Sequence, residues 1–186
     1  MKKLSIIVPL LIVLLLSYFH YSDTAIGEIA RLKQFDLIQQ TDKPVVSPDI
    51  GVLTIDEQAI EKYGQWPWSR EVIGDLVWNL REAGAGIIVI PILFSEEDRL
   101  GGDDNFVSAL PNNGVVIAQV GSTQVNKNGV PRGVAKIGNP IPFLFEWEGM
   151  LGPIPFLGER ADGVGVLNTV PEIDGVVRRL PLMMRI

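Results

Sequence analysis

The chain opens with a stretch that decides where everything after it goes. Lys2 and Lys3 precede an apolar run over 4–19 (LSIIVPLLIVLLLSYF), broken only by Ser5, Pro9 and Ser17. A charged start followed by such a run is read by the export machinery, and the lysines stay on the cytoplasmic side. The run is at the short end of the roughly 20 residues that a hydrocarbon core requires. Tyr18, Phe19, His20 and Tyr21 extend it with side chains suited to a membrane interface. Three readings stand: a retained anchor, a cleaved signal peptide and a core helix. Ser22-Asp23-Thr24-Ala25 is a poor cleavage site, which favours a transmembrane signal anchor over 4–21 with an exported domain over 22–186.

That domain has the length of one compact core that needs no covalent staples. A net charge of −6 argues against a nucleic-acid partner, which requires a cationic footprint. Arg178–Arg179 reads as a solvated surface pair. The absence of cysteine excludes disulfides, thiol nucleophiles and Cys-ligated metal, and suits an oxidising compartment. His20 is the sole histidine and sits at the membrane edge, so no Ser–His–Asp or histidine–metal site assembles in the domain. No cofactor is expected. Gly84-Ala85-Gly86 precedes a strand, whereas a phosphate-binding turn comes after one, and no Walker A pattern occurs.

Periodicity predicts the elements. A helix is expected from Asp23, as its cap, to about Gln40, then a proline-bearing loop over 41–49. A short strand is expected over 50–55 and a turn over 63–68. Ser69 reads as the N-cap of the strongest helix, Arg70 to about Ala83, with Val72, Ile73, Leu76, Val77, Leu80 and Ala83 as its apolar stripe and Gly84 as its stop. The run over 86–93 (GIIVIPIL) reads as a strand buried on both faces, so strand, helix and strand form a parallel βαβ unit. A short helix over 105–110 and a strand over 114–120 come next. Regularity fades over 121–158. Two strands, 164–168 and 176–184, flank an Asp174-Gly175 turn. The fold class is α/β: a mixed sheet with a parallel βαβ core and an antiparallel C-terminal extension, behind an N-terminal transmembrane helix.

Candidate chemistry gathers at strand ends, where open α/β sheets bind ligands. Asp56 and Glu57 close the first strand and read as a site for a cation, an amine or a hydroxyl, or more simply as a turn and cap pair. Glu96, Glu97, Asp98, Asp103 and Asp104 have the oxygen ligands that Ca²⁺ or Mg²⁺ takes, without the D-x-[DN]-x-[DN]-G spacing, so a solvated or capping loop is favoured. Trp66-Pro67-Trp68 forms either a pocket wall or, preferably, a staple holding the helix start on the sheet. Arg70 is placed to pair a carboxylate of the ligand or of the protein, with a salt bridge to Asp56 or Glu57 favoured.

In order, these pieces resemble the CHASE2 family of extracellular sensor domains in bacterial membrane receptors. The resemblance rests on Phe35-Asp36, the segments 52–57 (VLTIDE), 64–70 (GQWPWSR), 80–85 (LREAGA) and 88–94 (IVIPILF), then Asp104, Gly114-Val115-Val116, and the segments 163–168 and 174–179 (DGVVRR). It covers Phe35 to the C-terminus. One departure is Pro91, where relatives usually carry an aspartate; proline also lacks an N–H, so the strand bulges or ends there. The resemblance implies one N-terminal membrane segment, the sensor outside, further membrane helices and a cytoplasmic output such as a nucleotide cyclase, a kinase or a cyclic-di-GMP enzyme. On that pattern the chain, ending at Ile186, is expected to be a fragment or a truncated gene product.

A sensory input domain, not an enzyme, is therefore the expected function. Its ligand-binding rim is expected to comprise Asp56, Glu57, Trp66, Trp68, Arg70 and Asp104. Its partners are an unidentified small molecule or protein, the membrane and, from receptor habit, a second copy as a homodimer. The rival readings are a structural or interaction module of the cell envelope and a secreted two-carboxylate hydrolase.

Overall fold

The computed structural model describes residues 4–21, 24–43, 45–124, 129–130, 138–139 and 141–185. The chain divides into two compact units: Met1–Val52 with Val170–Arg179, and Leu53–Thr169 with Leu180–Ile186.

The first unit holds α1 (Leu4–Tyr21) and α2 (Ala25–Thr41). Helix α1 keeps the expected bounds, and its nine aliphatic side chains between Ile7 and Leu16 are each 47–61% exposed. Its 18 residues rise roughly 27 Å. The transmembrane helix expected over 4–21 is not supported, because among the described residues no helix is long and apolar enough to cross a membrane. Thr24, not Asp23, caps α2, its hydroxyl accepting the Gly27 N–H at 3.2 Å; Asp23 lies outside the described residues.

Arg178 ties the returning segment to α2. Its guanidinium donates to both oxygens of Asp36 (2.7 and 2.8 Å) and both of Asp174 (2.7 Å each). Lys33 adds 3.3 Å to Asp174 and 3.6 Å to Asp36. Arg178 and Arg179 are therefore not one solvated pair: Arg179 is exposed beside Glu172, but the Arg178 side chain is 5% exposed. Hydrogen bonding to Arg178 holds the Asp36 and Asp174 carboxyls below the usual range, and the same bonds raise the Arg178 pKa further. The Asp174-Gly175 turn forms, with Gly175 N–H on the Glu172 carbonyl at 2.8 Å.

The second unit is a mixed α/β fold with a mixed sheet. Its elements are α3 (Glu57–Tyr63), α4 (Arg70–Glu82), β1 (Ile88–Ile90), α5 (Asp103–Ala109), β2 (Val115–Ser122), β3 (Phe145–Glu146), β4 (Gly149–Leu151), α6 (Pro155–Arg160), β5 (Gly163–Val166) and β6 (Met184–Arg185). Strand β2 is the hub. It pairs in parallel with β1 (Ile88↔Val115, Ile90↔Ile117) and β5 (Val116↔Gly163, Gln119↔Val166), and antiparallel with β4 (Val120↔Leu151, Ser122↔Gly149). Strand β6 pairs in parallel with β3.

Several expectations shift. Residues 51–55 form no strand, and Val52 and Leu53 are 84% and 64% exposed. The parallel βαβ unit is instead β1–α5–β2, and β5, reached through β4 and α6, adds a second parallel partner to β2. Asp56 starts the unforeseen helix α3 by accepting the Ala59 N–H at 2.9 Å, which is helix capping, not strand termination. Strand β1 stops before Pro91, which cannot donate to a ladder. The antiparallel member of the main sheet is β4, inside the stretch expected to be irregular. Strand β5 runs parallel to β2, and 176–183 belongs to no strand.

Helix α4 forms as its pattern predicts. Ile73 and Val77 are buried, and Gly84, at φ +94°, ends it while Ala85 N–H reaches the Leu80 carbonyl at 2.9 Å. The core beneath combines Phe106, Leu110, Val115, Ile117 and Leu157, each 0–1% exposed. Side chains of this size contribute about 1.5–3 kcal/mol each on burial. Gln119, 3% exposed, is satisfied by both backbone groups of Val130 (3.0 and 3.2 Å).

Asp162 sets the start of β2. Its carboxylate accepts four N–H groups, from Asn112 (3.1 Å), Asn113 (3.1 Å), Gly114 (2.7 Å) and Val115 (3.2 Å). Burial pushes its pKa up, but these four bonds together outweigh that and hold it below the usual range.

Asp162→Ala is expected to lower stability by about 1–2 kcal/mol in urea unfolding at neutral pH, the low value reflecting an exposed carboxylate. A carboxyl with a depressed folded pKa stabilises fully above its unfolded pKa of about 3.9 and loses that contribution as pH falls through the folded pKa. The gap between variant and wild type is thus expected to close on acidification. In the first unit, Arg178 stays charged throughout, so Asp36 and Asp174 set the window. Amide-exchange protection over 172–178, taken relative to the pH-dependent intrinsic rate, is expected to fall as pH drops from about 4 through the lowered folded pKa values, and in Arg178→Gln to be low at neutral pH already.

Candidate functional site

An arginine facing the core organises the start of α4. Arg70, the first residue of the helix, is 7% exposed. Its guanidinium donates to the Asp103 carboxylate and to the Glu96 carbonyl, and lies 5.3 Å from the Phe94 ring centroid. Its backbone N–H donates to Asp98 Oδ2 at 2.6 Å. Ser69 holds the N-cap position, yet its hydroxyl makes no capping bond; Asp98, from the loop after β1, accepts the first N–H instead. The same loop closes on itself: Asp98 N–H meets Asp103 Oδ2 at 2.9 Å, and Leu100 N–H meets Asp98 Oδ1 at 3.0 Å.

Gly102 makes this approach possible. It adopts φ +101°, and a Cβ there would collide with the Glu71 backbone nitrogen. Asn105 fastens α5 to α4 through the Glu71 carbonyl (3.3 Å) and Asp75 (3.0 Å).

Between this loop and the segment before α4 lies a cavity of about 540 Å³. Its apolar walls are Trp66, Pro67, Trp68, Ile73, Ile92 and Phe94, and its polar rim comes from 95–99. Trp66 and Trp68 meet edge to face at 5.7 Å, and Tyr63 backs Trp68 at 5.3 Å. The Trp68 indole N–H donates to the Gly64 carbonyl at 2.7 Å, which fixes the ring, and Trp68 packs on the core cluster. The Trp66–Pro67 peptide is cis. The two expected roles of this segment therefore coexist: Trp68 staples the helix start, and Trp66, 36% exposed, presents to the cavity.

Of the residues expected at a binding rim, Trp66, Trp68 and Arg70 line the cavity. Asp56 and Glu57 are exposed at the start of α3, and Asp104 is exposed on the first turn of α5; none of the three lines it. The expected salt bridge from Arg70 to Asp56 or Glu57 is not made, because Asp103 takes that place. Asp98, Asp103 and Phe94 were not expected to act together. Their only signal in sequence is the acidic loop itself, the nearest supply of carboxylates for an arginine carried into a core. Among the described residues no group of three or more His, Cys, Asp or Glu is placed to hold a metal ion.

Breaking this centre leaves buried charge without a partner. Arg70→Ala is expected to cost about 3–5 kcal/mol in urea unfolding. Arg70→Lys is expected to recover only part of that, since an ammonium cannot span Asp103 and the Glu96 carbonyl as a planar fork does. Equal stability of wild type and the lysine variant would contradict the assignment.

Comparison with known proteins returns one family. No curated protein and no solved structure matches the chain. The family model described as CHASE2 domain matches residues 8–186, nearly the whole length and including every segment that lines the cavity. The chain belongs to the CHASE2 domain family, a family of extracellular sensory domains.

Proposed function

We infer that this chain is the extracytoplasmic input domain of a membrane-bound signalling receptor, and that the cavity beside α4 takes its ligand. The cavity carries the reading. It is preformed, concave and mainly apolar, with a few fixed polar groups at its rim, as small-molecule sites are. It also abuts the helix start that Arg70 and Asp98 hold in place. A ligand contacting both Trp66 and the 95–99 loop would bias that loop between arrangements, and so bias the placement of α4 and α5.

Helix α1 supports the membrane part of the reading. Although the helix falls short of the length and hydropathy of a full span, its exposed aliphatic side chains from Ile7 to Leu16 make a surface of the kind that lies in a core or a bilayer. Lys2 and Lys3 before it orient the remainder outward. In this reading α1 is the anchor, the sensor lies in the periplasm or extracellular space, and the reaction chemistry of the receptor resides elsewhere.

Thermal unfolding of the full chain in detergent micelles, scanned against a panel of metabolites and ions, tests the ligand site. A true ligand at 100 times its Kd stabilises by about 2.7 kcal/mol, and Trp66→Ala is expected to remove that rise. A rise that survives in Trp66→Ala would move the site elsewhere. Alkaline carbonate extraction tests the anchor: the chain is expected to stay with the membrane pellet, and its release would overturn it.

A further inference from the structure

The chemistry around the cavity narrows the ligand class, on the reading that the cavity is the binding site. Three observations converge. First, Arg70 is not available to an anion, because its guanidinium is already committed to Asp103 and the Glu96 carbonyl and lies over Phe94. Second, acidic groups outnumber basic ones. Glu96, Glu97 and Asp98 on the lining, with Asp103 behind Arg70, set four carboxylates against the guanidinium groups of Arg70 and Arg99. Asp98 is engaged by two backbone N–H groups. Glu96, Glu97 and Arg99 are all exposed on the lining and carry no ion pair among the described residues, so two uncommitted carboxylates face one uncommitted guanidinium. Third, the apolar wall is indole. Trp66 and Trp68, edge to face at 5.7 Å, line the cavity together with Glu96 and Glu97, and indole is the side-chain ring that attracts cations most strongly.

We propose that the cavity binds an organic ammonium ion, its alkylated head against Trp66 and its charge balanced by Glu96 and Glu97. A cation gains from both the indoles and the two glutamates, whereas an anion meets those glutamates with Arg99 as the single uncommitted guanidinium. A neutral molecule of the same shape gains only contact area. Quaternary and secondary amines suit this wall best, since their methyl groups spread charge over an apolar surface that a small hydrated ion does not use.

The experiment is calorimetric titration of the full chain in neutral detergent with choline, with its uncharged isostere 3,3-dimethylbutan-1-ol, and with acetate. Choline is expected to bind at least about tenfold tighter than the isostere, with affinity falling as salt rises. The Glu96→Gln/Glu97→Gln double variant, surface changes that leave the fold intact, is expected to abolish that preference. Trp66→Ala, checked for folding by circular dichroism, is expected to weaken choline by about tenfold. Equal binding of choline and the isostere, or binding of acetate alone, lost in Trp66→Ala, would overturn the ammonium assignment and leave the cavity as the site. Choline binding unchanged in both variants would instead remove the site itself. No choline binding at millimolar concentration would also overturn the ammonium assignment.

Discussion

A guanidinium taken out of water must find acceptors or the structure around it fails, and at Arg70 that requirement shapes the whole start of α4. To satisfy it, the loop after β1 turns back over the helix start and presents the Glu96 carbonyl and Asp103. That turn brings Asp98 to the first N–H of α4 and brings Gly102 against the Glu71 backbone. Helix α5, which begins at Asp103, is then fixed relative to α4, and Asn105 completes the join. One ion pair thus sets two helices, one loop and one wall of the cavity.

A second anionic clamp works at the start of β2. Asp162, just after α6, gathers the N–H groups ahead of that strand as a helix N-cap would, and so determines where the hub strand enters the sheet. Both devices use a carboxylate to hold backbone in a loop instead of a helix or ladder. Each places a rigid loop beside a sheet strand, the arrangement from which ligand sites are built.

How much could be read along the chain depends on the range of the interactions concerned. Helix α4 was legible because its stripe, its start and Gly84 are all local. Strand β2 was legible because an apolar run too short for a helix has few alternatives. The segment 50–55 has the same local signature as a strand and is not one, since a ladder requires a partner and no pattern supplies its address. The helix over Glu57–Tyr63 was hidden by Asp56, which ends a strand and caps a helix with equal ease. At the site, the indoles, Arg70 and the acidic loop stood out as residue types, whereas the pairing of Asp98 and Asp103 with Arg70 did not, since they lie 28 and 33 positions from it.

From sequence alone came the mixed α/β class, the stop at Pro91 and membership of a sensory family. These rest on periodicity, charge and residue order, which are properties of neighbours in the chain. Tertiary structure alone decided that Arg70 answers to Asp103, that Arg178 is buried between Asp36 and Asp174, and that a cavity opens beside Trp66. Those are choices among many carboxylates and many surfaces. Only closure of the chain in space, with its demand that every buried charge be matched, makes them.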